Sequence, residues 1–512
     1  MRAGRAPGAA LAALVVLLLA FAWFRPIDHD ESQYGAAAVL SGEGLLPYRD
    51  YAYLQTPLQP LLLAPVAALA GAWAYPVLRL VNALFAALAV AATWRAMRVA
   101  GVSAPIATTA AALFAASDIL LFSAGTARND ALPCALLALA LPLMIRAPAQ
   151  AGMQEPPGES LVGRGTRPFG STDWKDAGRA ALIGLLLAAA TAAKLSYALP
   201  ALGYGLYALV HRERRPLWVV AGALPVATLV VATFVAAPFA FYFGTLRFPT
   251  EAPADYYLAA GRAWKLAGWV KALDVLKFLA LGPALLALVL VARRHGRRPE
   301  LVDWMILAGL LGGLLPTPTW RQYLLPMLPP LFLRLAMLWQ ARPPGRRVRI
   351  AAVVFAVAGL APTAEALLKG DGMGTAIREE QALRIAMDAA GVTGPVATLS
   401  PQFVPATGRR IDPRFATGPF YFRSHQLLPA SEEGPLHVIR ATQLASRFAS
   451  PPSAIVVGGE GRWSAGDDKL DAAMAAWAVR SGWRAVPVAG ERLRLYAPPA
   501  ATAPARPAIS PE

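Results

Sequence analysis

The 512-residue chain is 56% hydrophobic and carries charge on only 15% of its residues, which is too apolar and too charge-poor for a soluble protein of this length and predicts an integral membrane protein. The net charge of +17 does not point to nucleic acid, because the arginines gather in short clusters between apolar runs, where they fix topology. A single cysteine, Cys134, rules out an intrachain disulfide.

Arg2 and Arg5 precede an apolar run over residues 9–24, the layout of a signal peptide or a signal anchor. The many apolar segments that follow favour an uncleaved first helix. Positive charge on its N-terminal side puts Met1 in the cytoplasm and the loop 27–57 outside. That loop gathers Asp28, Asp30 and Glu31 around His29 directly after the apolar run, at a membrane face where desolvation disfavours charges without a purpose. Residues 32–41 are Ala-rich and suit a short helix with Tyr34 on one face, ended by Gly42 and Gly44. The apolar run 58–69 is too short to span and suits a helix at the outer interface.

Residues 75–98 cross inward and end at Arg95 and Arg98, and 102–123 return outward to a short loop holding Arg128, Asn129 and Asp130. Residues 131–145 go back in. The stretch 146–179 is rich in Pro, Gly and charge and reads as a disordered cytoplasmic loop. Residues 180–193 climb to Lys194, 195–210 descend to a basic run at 211–215, and 217–243 climb again. An outer loop over 244–270 follows, with Arg247, Glu251, Asp255, Arg262 and Lys265; its Tyr256, Tyr257, Trp264 and Trp269 suit an interfacial belt rather than a sugar-stacking surface. Residues 272–292 descend to Arg293, Arg294, Arg297 and Arg298, 301–315 rise to a tight outer turn PTPTWR, 323–339 descend to Arg342, Arg346, Arg347 and Arg349, and 350–368 make the last crossing. The count is about eleven spans, with every dense arginine cluster on one side.

From residue 369 the pattern changes to an amphipathic helix over 377–390, buried strands at 395–399 and 454–457, a helix at 468–481, and a strand pair at 483–488 and 492–496. The expectation is an α-helical polytopic membrane protein, residues 1–368, with a small C-terminal extracytoplasmic α/β domain, residues 369–497, and a disordered tail, residues 498–512.

The outer loops bring Asp28, Asp30, Glu31, Asp130, Lys194, Arg321 and Tyr323 to one membrane face, and Arg79 lies within the first two turns of its helix. Carboxylates opposed to Lys, Arg and Tyr suit a reaction in which a base deprotonates a nucleophile while cations stabilise a departing phosphate. Several residues also have a bland reading. Asp30 and Glu31 suit the N-terminus of the helix starting near Ser32, Asp130 that of the helix starting at Ala131, Lys194 a snorkelling position, and Arg321 and Tyr323 interfacial anchors. No second histidine stands in the outer loops of the membrane part to join His29 in a metal site, and carboxylate binding of a divalent metal stays open.

The run Asp30-Glu31-x-x-Tyr34-x-Ala36, then Gly42, Pro47-Tyr48-Arg49-Asp50 and Thr56-Pro57-Leu58, resembles the first periplasmic loop of the C-type (GT-C) membrane glycosyltransferases, nearest the aminoarabinose transferase and protein mannosyltransferase-like group. The Arg79-x-x-Asn82 helix, Asp130 after Arg128, Thr191-x-x-Lys194 and the turn Arg321-Gln322-Tyr323-Leu324-Leu325-Pro326 are similar to the same family. The resemblance covers almost the entire chain, and its most specific piece is the Asp-Glu loop joined to Pro-Tyr-Arg-Asp. It implies sugar transfer, with inversion, from a polyprenyl-phosphate donor to a lipid, glycan or protein acceptor at the outer face of a bacterial inner membrane. It also implies Asp30 as general base, Glu31 and Asp130 positioning the acceptor or a metal, Lys194, Arg321 and Tyr323, with Arg79, on the donor phosphate, and Tyr34, Tyr48, Arg49 and Asp50 contacting the acceptor or positioning the loop. The family's lysine before the Pro-Pro-Leu segment is replaced here by Gln55-Thr56-Pro57. A transporter or lipid flippase is the competing reading, but it calls for broken helices and ionisable groups at corresponding mid-helix positions of two halves, a pairing that the sequence does not show.

Overall fold

The computed structural model describes residues 5–145, 174–293, 300–424 and 427–499. Residues 146–173 of the expected cytoplasmic loop, Arg294, Arg297 and Arg298, and the tail from residue 500 lie outside the described residues. Helix α1 (Arg5–Phe24) leads through the first loop to α2 (Glu31–Gly42), α3 (Leu58–Ala70) and α4 (Ala74–Val99). Then come α5 (Ala104–Ala115), α6 (Asp118–Ala124), α7 (Ala131–Ile145), α8 (Trp174–Ala193), α9 (Ala198–Val210) and α10 (Pro216–Ala236). The second half continues with α11 (Pro238–Tyr242), α12 (Phe248–Ala259), α13 (Gly268–Ala280), α14 (Ala284–Ala292), α15 (Leu301–Leu314), α16 (Leu328–Ala341), α17 (Arg346–Leu368) and α18 (Met373–Ala389).

All eleven expected spans coincide with helix. Among the described residues, five helices are long and apolar enough to cross a membrane on their own, or seven if each of two bent pairs is one span, and the remaining candidates are shorter apolar helices. The run 58–69 forms its own helix, α3, which ends at Gly71 with φ +53° before a 3-10 turn at Gly71–Trp73 leads into α4. Two local expectations change. The outer loop 244–270 is helical, with a π-turn at Phe243–Arg247 joining α11 to α12. Two expected spans are each a bent helix pair: α5 and α6 meet at 68° and α13 and α14 at 100°.

The two breaks pack on each other. Gly282 holds φ +134° at the α13–α14 break, and a Cβ there would stand 2.8 Å from the Ser117 Cα at the α5–α6 break. A side chain would forbid both that conformation and that approach. The Asp118 amide donates across the junction to the Leu281 carbonyl at 3.1 Å. Without a hydrophobic drive between helices in lipid, close approach of backbones over small residues supplies the packing. Ala83, Ala86 and Ala87 of α4 share one buried cluster with Ala131, Cys134 and Ala135 of α7. On α8 and α10, a Cβ at Gly184 or Gly222 would come within 1.8 Å of the opposing carbonyl of Val219 or Ala181.

The C-terminal part is a four-stranded sheet of order β1-β2-β4-β3, with β1 (Val396–Thr398) parallel to β2 (Ala454–Val457), and β4 (Arg494–Ala497) antiparallel to both β2 and β3 (Arg484–Val486). Alternation decides the two faces. Val396, Val456 and Leu495 pack with Met373, Leu383 and Met387 of α18, while Ala397, Ile455 and Tyr496 pack with Met474 and Trp477 of the helix Asp468–Arg480. Because both faces are covered, β1 and β2 are buried along their whole length, and β2 is a continuous apolar run. The first of those cores also contains Tyr34, Leu40, Tyr75 and Leu78, so the domain is seated on α2 and α4.

Candidate active site

A cavity of about 300 Å³ opens where the first loop, the 125–130 loop, the end of α8, α12, the turn before α16 and the C-terminal domain meet. His29, Asp30, Gln33, Tyr34, Gln55, Arg128, Lys194, Tyr323 and Arg423 are among its lining residues. Segments far apart in the chain thus deliver a carboxylate and three cations to one space.

Asp30 stands at the N-cap of α2, but its side chain accepts no capping bond there; instead Asp28 Oδ1 accepts from the Asp30 amide at 3.0 Å. The Asp30 carboxylate is free to face the cavity, where Arg128 Nη1 bonds Oδ2 and Arg423 Nη2 lies 3.6 Å from Oδ1. Burial opposes its charge, yet Arg128, His29 and Arg423 outweigh burial and hold it well below the usual carboxylate range. Burial likewise works against the Arg128 guanidinium, and Asp30 and Asp130 more than restore it. The Tyr34 hydroxyl is pushed up by burial.

Asp130 is fully buried and does not line the cavity; it bonds Lys194 Nζ and accepts from Arg128 Nε at 3.3 Å. Asn129 Oδ1 lies 3.4 Å from the same ammonium, and its Nδ2 reaches Gln55 Oε1 at 3.3 Å. Lys194 sits 5.3 Å from the centre of the Tyr323 ring, within cation–π reach. The residue following α8 is therefore held between a carboxylate below and an aromatic face beside it.

Other expected residues lie elsewhere. Glu31 and Arg79 face each other rather than the cavity, with Arg79 Nη2 2.9 Å from Glu31 Oε1 and both side chains buried. Arg79 further donates to the Ala22, Arg25 and Pro26 carbonyls at 3.1, 2.8 and 2.7 Å, closing the end of α1 onto α4. Burial raises the Glu31 carboxyl from its ordinary value although Arg79 opposes it. Arg321 is committed to buried Asp118 at 2.8 Å and stacks 3.8 Å above Phe122. Tyr48, Arg49 and Asp50 lie outside the cavity lining and lock the turn of the first loop. The Tyr48 hydroxyl donates to the Gln55 carbonyl at 2.5 Å, and Arg49 grips Asp50 through two bonds of 2.9 and 2.8 Å.

Asp28, His29 and Asp30 bring ligand atoms within 4.8 Å of one another. Arg128 and Arg423 already balance the two carboxylates and Glu460 engages the imidazole at 3.1 Å, so this donor set is an ion-pair network and does not fit a cation.

Sequence reasoning passed over Arg128 as a site residue and missed Arg423, Gln33 and Glu460. Arg128 carried a signal, standing two residues before Asp130 in a short loop; Arg423 and Glu460 sit in the least patterned part of the chain. Tyr256 and Tyr257, assigned to a membrane belt, line the cavity with Trp320, while Trp264 and Trp269 are exposed.

No protein-family model matches the chain, and no characterised protein matches it in sequence. Among solved structures, ArnT from Cupriavidus metallidurans bound to undecaprenyl phosphate is 15% identical with a TM-score of 0.58, covering 98% of this chain and 100% of that one. The same protein in the apo state gives 16%, 0.56, 98% and 99%. At such identities the likeness is one of fold, and that fold is the C-type arrangement expected from the first-loop motif.

Proposed function

We propose that this chain, which has the fold of the C-type membrane glycosyltransferases, transfers a sugar from a polyprenyl-phosphate donor to a lipid, glycan or protein acceptor. The reaction takes place at the periplasmic face of a bacterial cytoplasmic membrane and inverts the anomeric centre. What carries the reading is one observation: Asp30, Arg128, Lys194, Tyr323 and Arg423, drawn from five separate segments, line a single cavity. The undecaprenyl phosphate in the solved ArnT complex supports a lipid-phosphate donor for a chain of this fold.

In this scheme the acceptor hydroxyl attacks the anomeric carbon, its proton passes to Asp30, and the bond from that carbon to the phosphate oxygen breaks. The polyprenyl phosphate leaves with the electron pair. Lys194, Arg128 and Arg423 supply positive charge where the leaving phosphate gains negative charge, which is the term that most lowers such barriers. The cations that hold Asp30 ionised also weaken it as a base. A donor phosphate competes for Arg128 and Arg423, loosens their grip on Asp30 and so raises its basicity when the nucleophile is in place. Glu31 and Arg79 act as the frame of the first loop, and Asp130 sets the position of Lys194.

The test gives the purified chain a panel of polyprenyl-phosphate sugars with membrane lipid extracts and compares it with Asp30→Asn. Turnover is expected to fall by about a hundredfold or more, the scale for loss of a general base. Equal turnover in the variant would take Asp30 out of the reaction.

A further inference from the structure

One buried carboxylate of the C-terminal domain lies behind the cavity wall, against His29. Glu460, on the loop after β2, is fully buried; its Oε2 lies 3.1 Å from His29 Nδ1 and its Oε1 3.4 Å from Ser400 Oγ. The other nitrogen of the same ring, His29 Nε2, lies at ion-pair distance from Asp30 Oδ1, 3.2 Å, without forming a hydrogen bond to it. The loop is itself fixed, since the Gly458 and Glu460 amides donate to Asp471 Oδ2 at 2.6 and 2.9 Å, and the His29 amide donates to the Ser464 carbonyl at 2.8 Å.

An imidazole with a carboxylate oxygen within 3.2 Å of each nitrogen is favoured as the imidazolium, because a neutral ring would leave a lone pair beside one of the two anions. We infer that Glu460 and His29 are positioning residues for the base: the C-terminal domain's carboxylate holds His29 as an imidazolium, and that imidazolium orients Asp30 and keeps it ionised. This rests on the transferase reading for the role of Asp30. The cavity is then incomplete without the C-terminal domain, which sets the charge state of the first loop and does not merely cover it.

Among the described residues, charges reach the pair from several elements, and Lys194, Tyr34 and Tyr323 also act on Asp30. His29 faces Asp30 and Asp28 from its own loop, Glu460 from the loop after β2 and Arg423 from the helix Pro419–Arg423; Asp30 faces Arg128 from the 125–130 loop. Burial lowers the imidazole, and Asp30 with Glu460 outweighs burial and Arg423, so the ring titrates above its ordinary value. Glu460→Gln removes one of its three anionic neighbours. The sign follows: His29 loses its proton at lower pH, Asp30 loses a cationic neighbour, and the pH below which Asp30 is protonated moves up.

The test uses the full chain in detergent or nanodiscs. Histidine-labelled protein gives the His29 titration by NMR, assigned by His29→Gln, and the pH profile of kcat/KM is measured for wild type, Glu460→Gln, Glu460→Asp and His29→Gln. In Glu460→Gln the His29 midpoint is expected to fall by about one pH unit or more and the acid limb of the profile to rise, with donor KM little changed and Glu460→Asp largely restoring both. His29→Gln should raise the acid limb in the same sense, and it carries the kinetic test if Glu460→Gln does not fold. A His29 midpoint that is the same in wild type and Glu460→Gln, or an acid limb unmoved in folded His29→Gln, overturns the inference. Wild type without turnover on any donor would sink the transferase reading alone, since the His29 titration still decides the pairing.

Discussion

Glu31 accepts bonds from the Tyr75 hydroxyl, from Arg79 Nε at 3.0 Å and from the Ala127 amide at 3.2 Å, all within a buried pocket, while its neighbour Asp30 lines the cavity. Two adjacent carboxylates therefore make opposite predictions. Glu31→Gln leaves the Arg79 guanidinium buried without its counter-charge, a loss on the order of 3–5 kcal/mol, and thermal unfolding in detergent should drop clearly. Asp30→Asn should unfold near the wild-type temperature while losing turnover. An unfolding curve for Glu31→Gln that overlays wild type would refute the framing role. The sequence made the carboxylates legible because ionisable groups stand out after an apolar run; it did not separate the two, because which one turns inward depends on α4 and on the 125–130 loop, distant in the chain. Arg79 shows the same limit. Its place near one end of α4 was readable, and its partner was not.

At the scale of elements, hydropathy located the apolar helices, since long apolar runs are the strongest signal that a chain carries. The bends were the illegible part, although Gly282-Pro283 was a local clue to the α13–α14 break. The α8–α10 contact was hidden for a different reason: Gly184 and Gly222 look ordinary in an apolar helix, and only the partner's carbonyl, 1.8 Å from a built Cβ, shows why neither tolerates a side chain. Gly222→Leu should push α10 off α8 and cost about 1–3 kcal/mol or more, and it should shift Lys194, the residue after α8. Gly205→Ala, where nothing lies within 4 Å, is the control and should be neutral or mildly stabilising. Size-exclusion profiles and detergent unfolding of the two variants check this; equal behaviour would mean that the helices separate at no cost.

For the whole molecule, the C-terminal domain was legible as an α/β unit, but its docking was not, because a strand pattern says nothing about the surface that it meets. Met373, Leu383, Phe403 and Val404 share a core with Tyr34, Leu40, Tyr75 and Leu78. A chain ending at residue 369 should therefore expose that face, lose monodispersity and unfold earlier than the full chain. A truncation as stable as the parent would show the two parts to be separable. The joined bends carry a consequence for biosynthesis. The amide of Asp118 finds its partner in the carbonyl of Leu281, which leaves the ribosome only after α7 through α13 have been made. The early corner thus waits for a late strap, and translation in the order written builds the bundle's first half before it can be fastened.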